Sequence, residues 1–141
     1  MKTAKLILGG GSAYGLAHIG VVKAVKEHFQ ISGIIGTSMG AIIGACSACS
    51  LSAEKMLELA LDVSTVELFS PLGLDLSMSG IFDGKTAHKL FSEWTKDGLI
   101  ECAKIPYIAV AYDLEKQCPI LITRSEERRV GKECRARRSR Y

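Results

Sequence analysis

Three observations predict an α/β layered domain with a largely parallel sheet. Short apolar runs alternate with stretches of helical spacing. Two of the strand-to-helix junctions are built from glycine. The length, 141 residues, suits one ordinary domain and is too short for two.

The elements follow in order. Lys5 to Leu8 reads as a short strand that runs into Gly9-Gly10-Gly11-Ser12. From Gly15 to His28 the spacing is helical, with Leu16, Ile19, Val22, Val25 and Phe29 near one face. Ile31 to Gly36 is a second apolar run bounded by Gly33 and Gly36, and so a buried strand. Met39 to Cys49 reads as a buried helix rich in Ala and Gly, and Ser52 can cap an amphipathic helix running to about Val63. Residues 65–83, with Pro71, Gly73 and Gly80, have no clear period and read as a loop that either packs on the core or faces substrate. Lys85 to Thr95 reads as a helix closed by Asp97-Gly98. Ile105 to Tyr112 and Cys118 to Thr123 read as strands joined by a turn at Asp113 to Gln117.

A hydrophobic fraction of 48% and only 3 prolines fit a globular chain. No apolar run is long enough to cross a bilayer, and Met1 to Leu8 lacks the apolar core of a signal peptide. The expected location is cytoplasmic, with any membrane contact peripheral and at the inner surface. The formal charge of +3 is unevenly spread: residues 124–141 hold 8 Lys/Arg against 3 Asp/Glu, leaving 10 against 12 before them. The five cysteines, Cys46, Cys49, Cys102, Cys118 and Cys134, are an odd set without a secretory context. Cys46 and Cys49 form a C-x-x-C, but they lie in a small-residue helix with no second half-site. They read as small buried hydrophobes, and no metal is expected.

Two motifs carry chemistry. Gly36-Thr37-Ser38-Met39-Gly40 is G-x-S-x-G between a predicted strand and a predicted helix, the setting of a nucleophile elbow. The tight turn leaves no room for side chains beside the serine, and the helix behind it offers free N–H groups to developing negative charge. Gly9-Gly10-Gly11-Ser12-Ala13-Tyr14-Gly15 lies at the other junction, where glycines let backbone N–H groups approach a phosphate or an oxyanion. A dinucleotide fingerprint fails on Tyr14 or Ser12, depending on its start, and no Gly-Lys-Ser/Thr follows for a nucleotide loop. An oxyanion hole fits best.

With Gly15-Leu16-Ala17-His18-Ile19-Gly20-Val21, Ser79-Gly80-Ile81-Phe82-Asp83-Gly84 and Ile105 to Leu114, these motifs resemble the bacterial patatin-like phospholipases over residues 5–123. The resemblance implies a three-layer α/β/α fold, truncated here at its C-terminal side. It implies a Ser–Asp dyad acting on phospholipid or other lipid esters, without metal or cofactor. Ser38 becomes the catalytic nucleophile, with Gly36, Thr37, Met39 and Gly40 as its elbow. Gly11 and Ser12 supply the oxyanion hole, and Gly10 shapes the turn. Ser12 stands where a third glycine is usual and Tyr14 where a basic residue is common. Ser12 can replace glycine as a donor only if its position does not require φ > 0.

The aspartate of such a dyad sits in a D-G-G or D-G-A motif, which this chain lacks. Asp83 reads as a helix cap and Asp113 as a turn residue. A Ser–His–Asp triad has only His88 in the right order, because His18 and His28 precede the serine, and His88 reads as solvated. The competing function is a non-catalytic lipid-binding or interaction module on the same fold.

Residues 124–134, Arg-Ser-Glu-Glu-Arg-Arg-Val-Gly-Lys-Glu-Cys, match the frame translation of a common sequencing-library adapter, and 135–141 continue it with three mismatches. The expectation is therefore a partial domain over 1–123 and a non-native tail over 124–141, with no nucleic-acid arm.

Overall fold

The computed structural model describes residues 1–62, 92–95 and 98–125. The expected loop at 65–83, most of the helix at 85–95 with His88 and Asp83, and residues 126–141 lie outside them. Among the described residues, four strands form one sheet in the order β1-β2-β3-β4, with β1 Lys2–Leu8, β2 Phe29–Thr37, β3 Tyr107–Asp113 and β4 Cys118–Ile122. The first three run parallel, and β4 returns antiparallel to β3. Among the described residues, helices α1 His18–His28, α2 Met39–Ala48 and α3 Ala53–Asp62 pack against the sheet. This is the α/β architecture with a largely parallel sheet that the sequence predicts.

One face of the sheet carries the core. Leu8, Ile31, Ile34 and Tyr107 meet Ile19 and Val22 of α1, Ile43, Cys46 and Ala48 of α2, Ala53, Met56 and Ala60 of α3, and Trp94. Ile31 and Ile34 are an odd number of residues apart, so a regular strand would send them to opposite faces. They share a face because Ala4 pairs with Ile31 and Lys5 with Gly33, which leaves Ser32 as an extra residue in β2. The Ser32 hydroxyl donates to the Ala4 carbonyl at 3.2 Å across this bulge. Bulges re-aim the side chains that follow them, and here the bulge keeps both isoleucines in the core.

The opposite face carries a paired row, Ile7 beside Ile35 and Ile35 beside Ile108, with Val110 beside Leu121. Ile7 is 81% exposed and Leu121 59% exposed, so among the described residues helices cover one face of the sheet. Pro119 lies in β4, an edge of the described sheet, where a strand position without an N–H is tolerated.

Several element ends differ from the sequence reading: β1 begins at Lys2 and not Lys5, β2 runs Phe29–Thr37 and not Ile31–Gly36, and β3 runs Tyr107–Asp113 and not Ile105–Tyr112. The expected helix from Gly15 begins instead as a 3-10 turn, Ser12–Ala17, and becomes α-helical at His18. Phe29, expected on the apolar face of α1, opens β2 and is 37% exposed. Helix periodicity continues by chance into a strand whose pairing with β1 decides the matter. Two turn readings match local geometry. The Ser52 hydroxyl accepts the Lys55 N–H at 3.1 Å before α3, and Asp113 Oδ1 accepts the N–H groups of Glu115 and Lys116, each at 3.0 Å.

Candidate functional site

β1 and β2 end side by side, with Leu8 paired to Gly36, so the glycine loop and the G-x-S-x-G turn leave the same edge of the sheet. Ser38 sits between β2 and α2 with φ 52° and ψ −129°, outside the wells that L-residues populate. A non-glycine residue is held there only when its surroundings over-determine it, and such strain gathers at functional sites. The Ser38 hydroxyl makes no capping bond to α2, while its carbonyl accepts the N–H groups of Ala41 at 2.9 Å and Ile42 at 3.3 Å. The N–H groups of Met39 and Gly40 precede the first intrahelical bond, and they place the positive end of the α2 dipole behind the serine.

The glycines around Ser38 are there for close approach. A methyl on Gly36 would strike the Gly40 carbonyl and Ala41 Cα, and one on Gly40 would strike the carbonyl oxygens of Leu8 and Gly9. A methyl on Gly15 would lie 2.5 Å from Met39 Cβ, so the buried Met39 packs directly over the 3-10 turn. On Gly10 it would lie 3.3 Å from Ser38 Cβ and 3.9 Å from Ser38 Oγ. Gly10 is thus the member of the glycine loop that stands against the serine. Its backbone has no positive φ, so close contact with Ser38, and not a left-handed conformation, is what asks for glycine here. Gly11 has extended φ and packs against the backbone of Gly15, whose N lies 3.1 Å from a methyl built on Gly11.

Ser12 has φ 48°, so this position does require the left-handed region. That fails the condition on which Ser12 replaces glycine as an oxyanion donor, and it also carries a cost in stability. The left-handed region costs an L-residue about 1 kcal/mol. Part of the gain on replacement is offset by the greater freedom of glycine in the unfolded chain. Ser12→Gly is therefore expected to stabilise the protein by about 0.5 kcal/mol, and Ser12→Val to destabilise it by about 1 kcal/mol. Denaturant midpoints of both variants check this, and a loss of stability with glycine contradicts the assignment.

Two side chains brace the site in ways that spacing alone does not reveal. The Thr37 hydroxyl donates to the Val110 carbonyl at 3.2 Å and ties the turn to β3. His18 Nε2 lies 2.9 Å from the Gly9 carbonyl oxygen. Below them, the Tyr107 hydroxyl donates to the Ala41 carbonyl at 2.8 Å, and burial raises its pKa. Burial also pushes the Cys46 thiol up to about 12 and raises that of Cys49, so neither offers a ready thiolate. Among the described residues, no group of three or more His, Cys, Asp or Glu side chains could hold a metal ion. No helix among them is long and apolar enough to cross a membrane. His28 ends α1 and is exposed. Asp113 turns its carboxylate into the β3–β4 turn.

Comparison with known proteins adds the family. The family model described as patatin-like phospholipase matches residues 6–133. An uncharacterized NTE family protein of Mycobacterium tuberculosis is 34% identical over 110 residues, covering 77% of this chain and 30% of that protein. Its counterpart in Mycobacterium bovis matches equally. The neuropathy target esterase sws of Drosophila persimilis is 32% identical over 117 residues, covering 80% of this chain and 8% of that protein. The chain thus spans less than a third of the length of these relatives. With the fold, the paired strand ends and a family match over most of its length, the chain belongs to the patatin-like phospholipase family.

Proposed function

We propose that this chain carries the nucleophile side of a serine lipid acyl hydrolase that acts on phospholipid or lysophospholipid esters. The observation that carries the reading is the backbone of Ser38, at φ 52°, held against Gly10 where two parallel strands end. Esterase and phospholipase names among its relatives and its family support the substrate class.

In this mechanism a carboxylate takes the Ser38 hydroxyl proton as Oγ bonds to the ester carbonyl carbon. The carbonyl π pair moves onto oxygen, where the N–H groups of Gly10 and Gly11 and the N-terminus of α2 stabilise it. Collapse breaks the ester bond, and the protonated carboxyl returns its proton to the departing alkoxide. Water then attacks the acyl-serine, losing its proton to the same carboxylate; the acyl C–Oγ bond breaks, Ser38 Oγ takes that proton back, and the fatty acid leaves. The base is an aspartate from a D-G-G or D-G-A motif outside these 141 residues, so the chain by itself is inactive. No step needs a cofactor. The substrate comes from a membrane surface, which requires peripheral contact alone.

The domain limit at residue 123 and the non-native origin of 124–141 belong to the same reading. Two observations cross that limit: the family match runs to residue 133, and Ser125 is anchored to residues 100 and 101. The Ser125 hydroxyl accepts the Ile100 N–H at 2.9 Å, and its own N–H donates to Glu101 Oε2 at 3.0 Å. Sequencing the source locus across the Thr123 codon decides the matter. The expected result is a reading that leaves this chain near Arg124 and continues to the aspartate motif.

The chemical test uses the protein encoded by that locus. A fluorophosphonate probe is expected to label Ser38, located by mass spectrometry, and the protein is expected to release fatty acid from phospholipid or lysophospholipid vesicles. Lipid binding without labelling or release would instead support a non-catalytic lipid-binding module.

A further inference from the structure

The bond between His18 and Gly9 bears on the loop opposite Ser38. A carbonyl can only accept, so the Nε2 of His18 carries the proton and donates to it at 2.9 Å. His18 is the first residue of α1, and its ring reaches back nine residues to the point where β1 has just ended. The Gly9 carbonyl and the Gly10 N–H are two ends of one planar peptide. Fixing the direction of that carbonyl therefore fixes the direction of the Gly10 N–H. Gly10 is the loop residue that stands against Ser38, 3.3 Å from its Cβ to a methyl placed on Gly10.

This peptide has little else to hold it. Turning it over changes ψ of Gly9 and φ of Gly10, and neither residue has a side chain to oppose the change. A side chain on Gly9 would meet nothing within 4 Å, so the loop is open on that side. Gly40, which lies against the Gly9 carbonyl oxygen, contributes only its bare Cα there. The described hydrogen bond that singles out one orientation of the Gly9 carbonyl comes from His18.

We infer that His18 is a positioning residue: its Nε2–H locks the Gly9–Gly10 peptide in one orientation and so presents the glycine loop to the oxyanion formed at Ser38. The inference rests on the hydrolase reading for its consequence, but the lock itself does not. The role is donation alone, with no proton transferred in the reaction. Glutamine places an amide N–H at nearly the same reach and does not titrate, whereas alanine leaves the carbonyl free to turn.

The test compares His18→Ala and His18→Gln in the complete protein, with thermal melts to verify folding, aryl-ester kinetics and crystal structures. Loss of a well-aimed oxyanion donor costs about 100-fold or more, and a donor that is merely free to turn should cost about tenfold in kcat with KM within about twofold. His18→Gln is expected to recover kcat to within about threefold with the pH profile unchanged. The His18→Ala structure is expected to have the Gly9 carbonyl turned from α1 or split between two orientations. Full activity of His18→Ala with that carbonyl unmoved overturns the inference. So does His18→Gln as slow as alanine with a limb of the pH profile lost, which would make His18 an acid or base. If the parent protein has no Ser38-dependent hydrolysis, the hydrolase reading fails, and the carbonyl orientation in the alanine structure alone decides the lock.

Discussion

Ser38→Ala in the complete protein is expected to remove ester hydrolysis by about a thousandfold or more, because the reaction then has no atom to carry the acyl group. The fold should be indifferent to this change, since the Ser38 hydroxyl makes no capping bond to α2 and the residue is exposed. Ser38→Gly separates chemistry from strain. At φ 52° and ψ −129° an L-side chain costs on the order of 1–3 kcal/mol, whereas glycine takes the same backbone freely. Set against the freedom glycine gains in the unfolded chain, the net stabilisation should be about 1 kcal/mol, or roughly 3 °C in Tm. Glycine should thus be as inactive as alanine and more stable than the parent. Kinetics and melting curves on the three proteins check both parts. More than a few per cent of parental activity in Ser38→Ala removes Ser38 as nucleophile, and a less stable Ser38→Gly removes the strain.

The second large effect is structural, and its sign separates two kinds of reasoning. Helix propensity alone says that replacing a helical glycine by alanine stabilises by about 1 kcal/mol. Gly20 in α1 should behave this way, because it is exposed and a methyl there meets nothing within 4 Å. Gly40 in α2 should do the opposite. Its methyl would fall on the carbonyl oxygens of Leu8, in β1, and of Gly9, which His18 holds in place. Accommodation means prying α2 from the sheet and shifting the loop that faces Ser38, at about 3 kcal/mol or more. Urea midpoints for Gly20→Ala and Gly40→Ala measure the contrast. A Gly40→Ala protein as stable as its parent would mean that α2 does not ride on the strand ends as described.

How much of this was legible beforehand depends on the range of the interaction. Ser52 and Asp113 act on N–H groups two or three residues away, and the sequence names both. The strand–helix order and the two glycine junctions were equally readable, since apolar period and turn chemistry are local. The end of α1 was not. Phe29 continues the helical spacing, and only pairing of Lys2 with Phe29 makes it a strand residue. Ser32 looked like an ordinary strand position, yet the register between Ala4 and Lys5 makes it the bulge that sends Ile31 and Ile34 to one face.

The site divides in the same way. The sequence by itself determined the motif pair, the type of fold and Ser38 as the residue to examine, because G-x-S-x-G at a strand-to-helix turn is a local demand for small neighbours. Only the tertiary structure decided that Gly10 stands against Ser38, that Ser12 lies in the left-handed region, and that His18 holds the Gly9 carbonyl. Each of these depends on where the ends of β1 and β2 come to rest relative to α1 and α2. That placement is set by register and packing across the whole sheet, which no stretch of neighbouring residues encodes.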